Sequence, residues 1–331
     1  MDVFTEVYDQ SVELLKVPCF DKRWSNIEPK LKRLFAIGGP SAPEADVLDS
    51  IRSSLSLNVK PIHIASAIVS LSQPGTAGFQ NRSALIKLLQ HFYFVEAKGA
   101  QSVWVVDHPS GYAKWSYDEL SGKSATDIVA PLALDTETFG PAQRKTMSDS
   151  LQLARKWAMD VVAKLGAADK DTKDKVRRWF LPDGATDTEV DAAVATLSGG
   201  FKKIADTCNS TKVIFSDRPH KRFNGGNATT FASVNGGDKM PVIYIFKLFL
   251  AEGEKAAGEV GKLWLCALTI IHELSHKLQG TKDKSYDTQG LKPGGRSLVA
   301  AEAINNADSW AYFAADIVGA IPDAKLKAYY L

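Results

Sequence analysis

Cysteine is scarce in this chain, with 3 among 331 residues, at Cys19, Cys208 and Cys266. An odd number of widely separated thiols makes no disulfide framework, so the fold has to be held by a packed core. Cys266 sits in an apolar run and reads as a small buried hydrophobe. A dominant charge is missing as well. Lys and Arg total 40 against 38 Asp and Glu, and a net charge of +2 gives no electrostatic footprint for nucleic acid. No stretch reaches the roughly 18 consecutive apolar residues of a transmembrane helix, so no membrane span is expected. The start, from Met1 to Asp9, has neither the basic segment nor the apolar core of a signal peptide. Two expectations follow: residence in the cytoplasm, or secretion by a route that reads no such signal. Internal repeats and low-complexity tracts are also missing.

What is present is the composition of an ordinary globular protein, 45% hydrophobic and 24% charged, in a chain long enough for two domains. Apolar periodicity predicts helices over 2–18, 21–35, 45–55, 61–71 and 82–94. A strand pair is expected at 101–106 and 112–117, around a turn containing Asp107 and His108. His63 and His91, in apolar helical runs, read as satisfied core histidines. Nothing in residues 1–140 states a function, and delivery, inhibition and recognition all stay open for them. Phe139-Gly-Pro-Ala142 marks a boundary, which gives an N-terminal domain of 1–140 and a second domain of 141–331. The second domain opens with a long helix over 147–165. A charged stretch at 169–175 then leads into 176–181, and another helix covers 190–204. Short strands are expected at 212–215, 229–234 and 241–246. An apolar helix follows, ending at Gly280, then a Gly/Pro loop at 290–295 and one closing helix over 297–318. Helices, a small sheet and more helices make an α+β domain, preceded by a mainly helical one.

The chemistry is concentrated between Leu268 and Tyr286. His272, Glu273 and His276 form the pattern H-E-x-x-H inside the apolar helix. Residues at i and i+4 share a helix face, so the two imidazoles can meet one Zn2+, with Glu273 placed as general base beside it. A catalytic zinc needs a third protein ligand and one open position. Asp283, just beyond the helix stop at Gly280, is one candidate. Glu302, on the expected closing helix, is the other. The residues alone leave both open.

Gly280-Thr-Lys-Asp283-x-x-Tyr286 after the histidine pair resembles the aspzincin signature, that of the deuterolysin and peptidyl-Lys metalloendopeptidase family. The likeness extends over most of 147–318. It includes Trp179-Phe180, the strand holding Tyr244, and Asn306-Ala-Asp308-Ser-Trp-Ala-Tyr-Phe313. The resemblance implies a zincin-like fold, one catalytic Zn2+ and hydrolysis of peptide bonds in protein or peptide substrates. It implies His272, His276 and Asp283 as the metal ligands, Glu273 as base, and Tyr286 as the group that steadies the oxyanion. Asp308 interrupts an apolar stripe, and the resembling lysine-specific enzymes use this aspartate to bind the residue after the cut. A preference for Lys there is thus implied, although the second acid of those enzymes is replaced by Ala311. A structural role for Asp308, bonding a helix end or Asn305, is the alternative. The interval from His276 to Asp283 is shorter than is usual in the family, so its turn must be compact. The missing signal and a first domain with no assigned role suit a toxin or effector exported by specialised machinery. Two competing readings are a zinc-binding interaction protein without turnover and a gluzincin-type peptidase using Glu302. Oligomeric state does not follow from the sequence.

Overall fold

The computed structural model describes residues 94–98, 101–106, 139–210, 213–218, 230–238, 241–251, 261–321 and 326. The helices expected over 2–18, 21–35, 45–55 and 61–71 lie outside the described residues, as do the strand at 112–117, the Asp107-His108 turn, His63, His91 and Cys19. Of the helix expected over 82–94, only Phe94 is described, and it opens a strand. The chain divides into two compact units. The first is Met1–Ser148, Ser210–Phe231 and Gly237–Leu250, and the second is Asp149–Asn209, Ala232–Gly236 and Ala251–Leu331.

The first unit holds a sheet with antiparallel and parallel pairs. β1 (Phe94–Lys98) runs antiparallel to β2 (Gln101–Val106), so the described antiparallel neighbour of β2 precedes it in the chain. β2 pairs in parallel with β3 (Ile214–Ser216), and β3 in parallel with β5 (Val242–Ile245). Every residue of β3 and β5 is buried, which is why both read as unbroken apolar runs rather than alternating ones. Tyr244 keeps its hydroxyl satisfied in that interior by donating to Asp238 at 2.8 Å.

The second unit is helical apart from the two-residue strand β4 (Ala232–Ser233). α1 (Pro141–Ala167) contributes from Asp149 onward. α2 (Lys170–Phe180) starts at Asp169, whose carboxylate accepts the Thr172 N–H at 2.8 Å as an N-cap. α3 (Asp187–Asn209) follows; the short α4 (Lys247–Ala251), which belongs to the first unit up to Leu250, leads out of the sheet segment. α5 (Lys262–Gln279) carries the histidines and stops where Gly280 turns left-handed at φ 70, as a C-terminal glycine should. α5 packs against α3 and against α6 (Ala307–Ile317), and α6 packs on α2. Aromatic rings fill the space between them. Phe201 stacks on Trp310 at 5.1 Å, and Phe180 meets Phe313 edge-on at 5.1 Å. Gly200 lets α3 approach that closely, since a Cβ there would lie 2.3 Å from the Trp310 ring. At the far end of α6, Asp316 accepts from Trp179 Nε1 at 2.7 Å and Arg178 at 2.9 Å, tying α6 to α2.

The closing helix expected over 297–318 is not continuous. A 3-10 turn, Ala300–Asn305, is followed by Asn306 in extended conformation, and only then does α6 begin. The reason lies in where Asn306 and its neighbours place their hydrogen bonds. The Asn306 side chain accepts from the backbone N–H groups of Lys284 and Ser285, both at 3.0 Å. Asn305 O accepts from Lys282 N, and Ala307 N donates to Lys282 O. Polar groups that would continue a helix are committed to the 282–285 turn instead. The described residues thus form a mostly helical α+β fold with a small sheet, as expected. None of their helices is long and apolar enough to cross a membrane.

Candidate metal centre

His272 and His276 lie one turn apart on α5, with ring centroids 4.7 Å apart and planes at 88°. Their Nε2 atoms are 3.1 Å from each other. Past Gly280 the chain reverses and brings Asp283 Oδ1 to 3.1 Å from His272 Nε2 and 3.2 Å from His276 Nε2. Among the described residues, these three form the group that could hold a metal ion. Their ligand atoms make a nearly equilateral triangle. A tetrahedral zinc with bonds of about 2.0 Å requires ligand–ligand edges of about 3.3 Å, so the triangle is already close to size.

Proton placement gives the triangle its purpose. His276 Nδ1 is 2.7 Å from the Thr281 carbonyl oxygen, which can only accept, so Nδ1 carries the proton. His272 Nδ1 donates to Asp308 Oδ1 at 2.6 Å. Neutral rings so held turn both Nε2 lone pairs toward Asp283, an acceptor-only carboxylate. Three acceptors facing one point with no donor between them call for a cation. The proton equilibria report the same field. Burial opposes a charge on His272, yet the carboxylates of Asp283 and Asp308 outweigh it and raise its pKa well above the ordinary value. When a proton takes the cation's place on the Nε2 side, hydrogen bonds from His272 and His276 hold Asp283 well below the usual carboxylate range.

The compact turn that delivers Asp283 is pinned from two sides. Ser275 Oγ and Thr281 Oγ1 are 2.7 Å apart, joining the turn to α5. The Asn306 bonds described above join it to the start of α6. Glu273 is buried beside the histidines, and desolvation raises its pKa, opposed by the two imidazoles and by a hydrogen bond from the Val234 backbone. Tyr286 is 45% exposed. Its hydroxyl is pushed up to about 12 by burial and then by the Asp283 carboxylate, to which it hydrogen-bonds. Asp308 lies behind His272, and both of its oxygens are engaged: Oδ1 by His272, Oδ2 by the Asp287 N–H at 3.0 Å. Its place in the first turn of α6 also sets its charge against the positive end of the helix. Glu302 stays apart, paired with Lys284 Nζ at 2.8 Å on the 3-10 turn. Cys208 and Cys266 are buried, and burial pushes both thiols up to about 12, as befits unreactive core cysteines.

The structure adds residues that sequence reasoning did not single out as parts of the site: Thr281, Asp287 and Asn306, together with Tyr312, whose hydroxyl donates to Asp287 Oδ2 at 2.7 Å. Two signals were available. Thr281 fills the gap between the helix stop and Asp283, and Tyr312 falls four residues after Asp308, on the same face of α6.

Two imidazoles, one carboxylate and a buried acid beside them are the donor set of a hydrolytic zinc centre. Residues 165–315 match the family model of the lysine-specific metallo-endopeptidases, the aspzincins, and this part of the chain belongs to that family. It is a metalloendopeptidase domain that works with a catalytic zinc on protein or peptide substrates. A solved zinc peptidase from Grifola frondosa is similar over 53% of this chain and 96% of its own, at 18% identity and a TM-score of 0.38, too loose a fit to carry geometry across. No curated protein matches the chain.

Proposed function

We propose that His272, His276 and Asp283 hold the catalytic zinc, that Glu273 is the general base, and that Tyr286 donates to the oxyanion of peptide-bond hydrolysis. The triangle of ligand atoms with 3.1, 3.1 and 3.2 Å edges, both Nδ1 protons being committed elsewhere, carries this reading. Bound there, zinc supplies Lewis acidity toward water and the scissile carbonyl. Glu273, buried and held by the Val234 N–H, takes a proton from the attacking water and passes it to the leaving amine. Tyr286 is exposed beside Asp283, and a hydroxyl pushed up to about 12 stays protonated, and so a donor, at neutral pH.

The test is metal content set against point variants. The purified chain is expected to hold one zinc. Asp283→Ala should lose it while Glu302→Ala keeps it, and the reverse result would transfer the third ligand to Glu302. Substrate preference is a separate matter. Asp308 already has a donor on each oxygen, His272 and the Asp287 N–H, and buried Ala311 brings no second acid to the place. Cleavage of a peptide library is therefore expected without enrichment of Lys after the cut; strong enrichment would return Asp308 to the substrate pocket.

A further inference from the structure

We propose that Asp287 and Tyr312 are positioning residues of the zinc site, which hold Asp308 against His272 and fix the peptide that carries Tyr286. The inference rests on the reading of His272, His276 and Asp283 as the zinc ligands.

The contacts form one chain. Tyr312 hydroxyl donates to Asp287 Oδ2 at 2.7 Å, the Asp287 N–H donates to Asp308 Oδ2 at 3.0 Å, and Asp308 Oδ1 accepts from His272 Nδ1 at 2.6 Å. Asp308 and Tyr312 are four apart on α6 and therefore stack on one face. From that face they grip a single residue of the opposing turn, Asp308 by its backbone and Tyr312 by its carboxylate. The grip gives the two oxygens of Asp308 separate partners. Were the Asp287 N–H withdrawn, Oδ2 would be a buried acceptor without a partner, and the carboxylate would be free to rotate away from His272. The same bond fixes the peptide between Tyr286 and Asp287, and so the backbone from which the exposed Tyr286 ring projects.

Tyr312 is suited to anchor the chain. It is buried, and its ring stacks on Trp179 at 6.2 Å within the α2–α6 core, so its hydroxyl cannot wander. Asp287 is not placed there for solubility. It is half-buried next to the charge of Asp308, a costly position for a carboxylate unless its oxygens are satisfied, and Tyr312 and the Thr288 N–H at 2.7 Å satisfy them. A rigid core thus reaches the metal ligand through three hydrogen bonds.

The experiment measures zinc affinity of the full chain by competition with a chelating dye, together with kcat and KM on a peptide substrate, for Tyr312→Phe, Asp287→Ala and Asp287→Asn. Tyr312→Phe removes one oxygen and keeps the ring packing. It is expected to weaken zinc about 10-fold, the lower end for outer partners of metal ligands. It should also lower kcat while KM stays within about twofold. Asp287→Ala should do the same. Asp287→Asn, which still accepts from Tyr312 and keeps its own N–H, should recover most of the loss. If Asp287→Ala does not fold, Tyr312→Phe carries the test. A Tyr312→Phe protein with a lowered Tm but wild-type zinc affinity and kcat overturns the inference and leaves the metal site intact. A wild-type chain that takes up no zinc overturns the site assignment and this inference with it.

Discussion

Glu273 and Asp308 are two buried carboxylates of the site that do opposite work, and their surroundings decide which does what. Glu273 is buried with one backbone donor, so desolvation prevails and its pKa is raised, which suits a group that must receive and release a proton. Asp308 is equally buried but has a donor on each oxygen, which suits a group that must stay fixed. Two predictions follow from that contrast. Glu273→Gln should retain zinc and lose about 10²- to 10⁴-fold in kcat, the usual worth of general base catalysis. Near-wild-type turnover in that variant would remove Glu273 from the reaction. Asp308→Ala should instead act through the metal. It leaves His272 free to rotate and to change tautomer, so zinc affinity should fall about 10- to 100-fold. Asp308→Asn should lie between the two, since its amide oxygen still accepts from Nδ1. Equilibrium dialysis against buffered zinc reads both.

At the scale of elements, Gly200 allows a prediction with an informative sign. An Ala in a helix interior normally stabilises by about 1 kcal/mol relative to Gly. Here its Cβ would strike the Trp310 ring at 2.3 Å, and Gly200, Phe201 and Trp310 are all buried. Gly200→Ala should therefore destabilise by about 1–3 kcal/mol in thermal or urea unfolding, as overpacked cores do. Gly200→Ala combined with Trp310→Phe should recover part of that loss. The same packing explains what the sequence could and could not reveal. α5 was legible because its apolar run, its histidine spacing and Gly280 all report on one helix. β3 and β5 were legible because strands buried on both faces are unbroken apolar runs. The break at Asn306 was not legible, because local periodicity runs straight through it. It exists only because Asn306 serves the backbone of a turn some twenty residues earlier. The partner of Asp308 was hidden for the same reason: an acid in an apolar stripe announces that something pairs with it, but not whether the partner is a lysine of the substrate or His272.

For the molecule as a whole, the metal site is coupled to stability, and the coupling has a direction in pH. In the metal-free chain His272 and Asp283 interact as one pair. His272 has a raised pKa, so its contribution is complete below its ordinary value of about 6.5 and is lost as pH rises through the folded value. Asp283 has a lowered pKa, so its contribution is present above its ordinary value of about 3.9 and is lost as pH falls through the folded value. The pair therefore stabilises the metal-free form most between those limits, in mildly acidic solution. Zinc needs the opposite state of His272, a neutral imidazole, so its binding strengthens as the pH rises. At about 100 times its Kd the metal adds about 2.7 kcal/mol to the folded state. The difference in Tm between zinc-loaded and chelator-treated protein should thus be small at about pH 5 and widen toward about pH 8, as zinc binding strengthens and the stabilisation that protonated His272 gives the metal-free form declines. Asp283→Ala should show no such difference at any pH. A gap that narrowed on going from acid to neutral would mean that the cation is not held by these imidazoles.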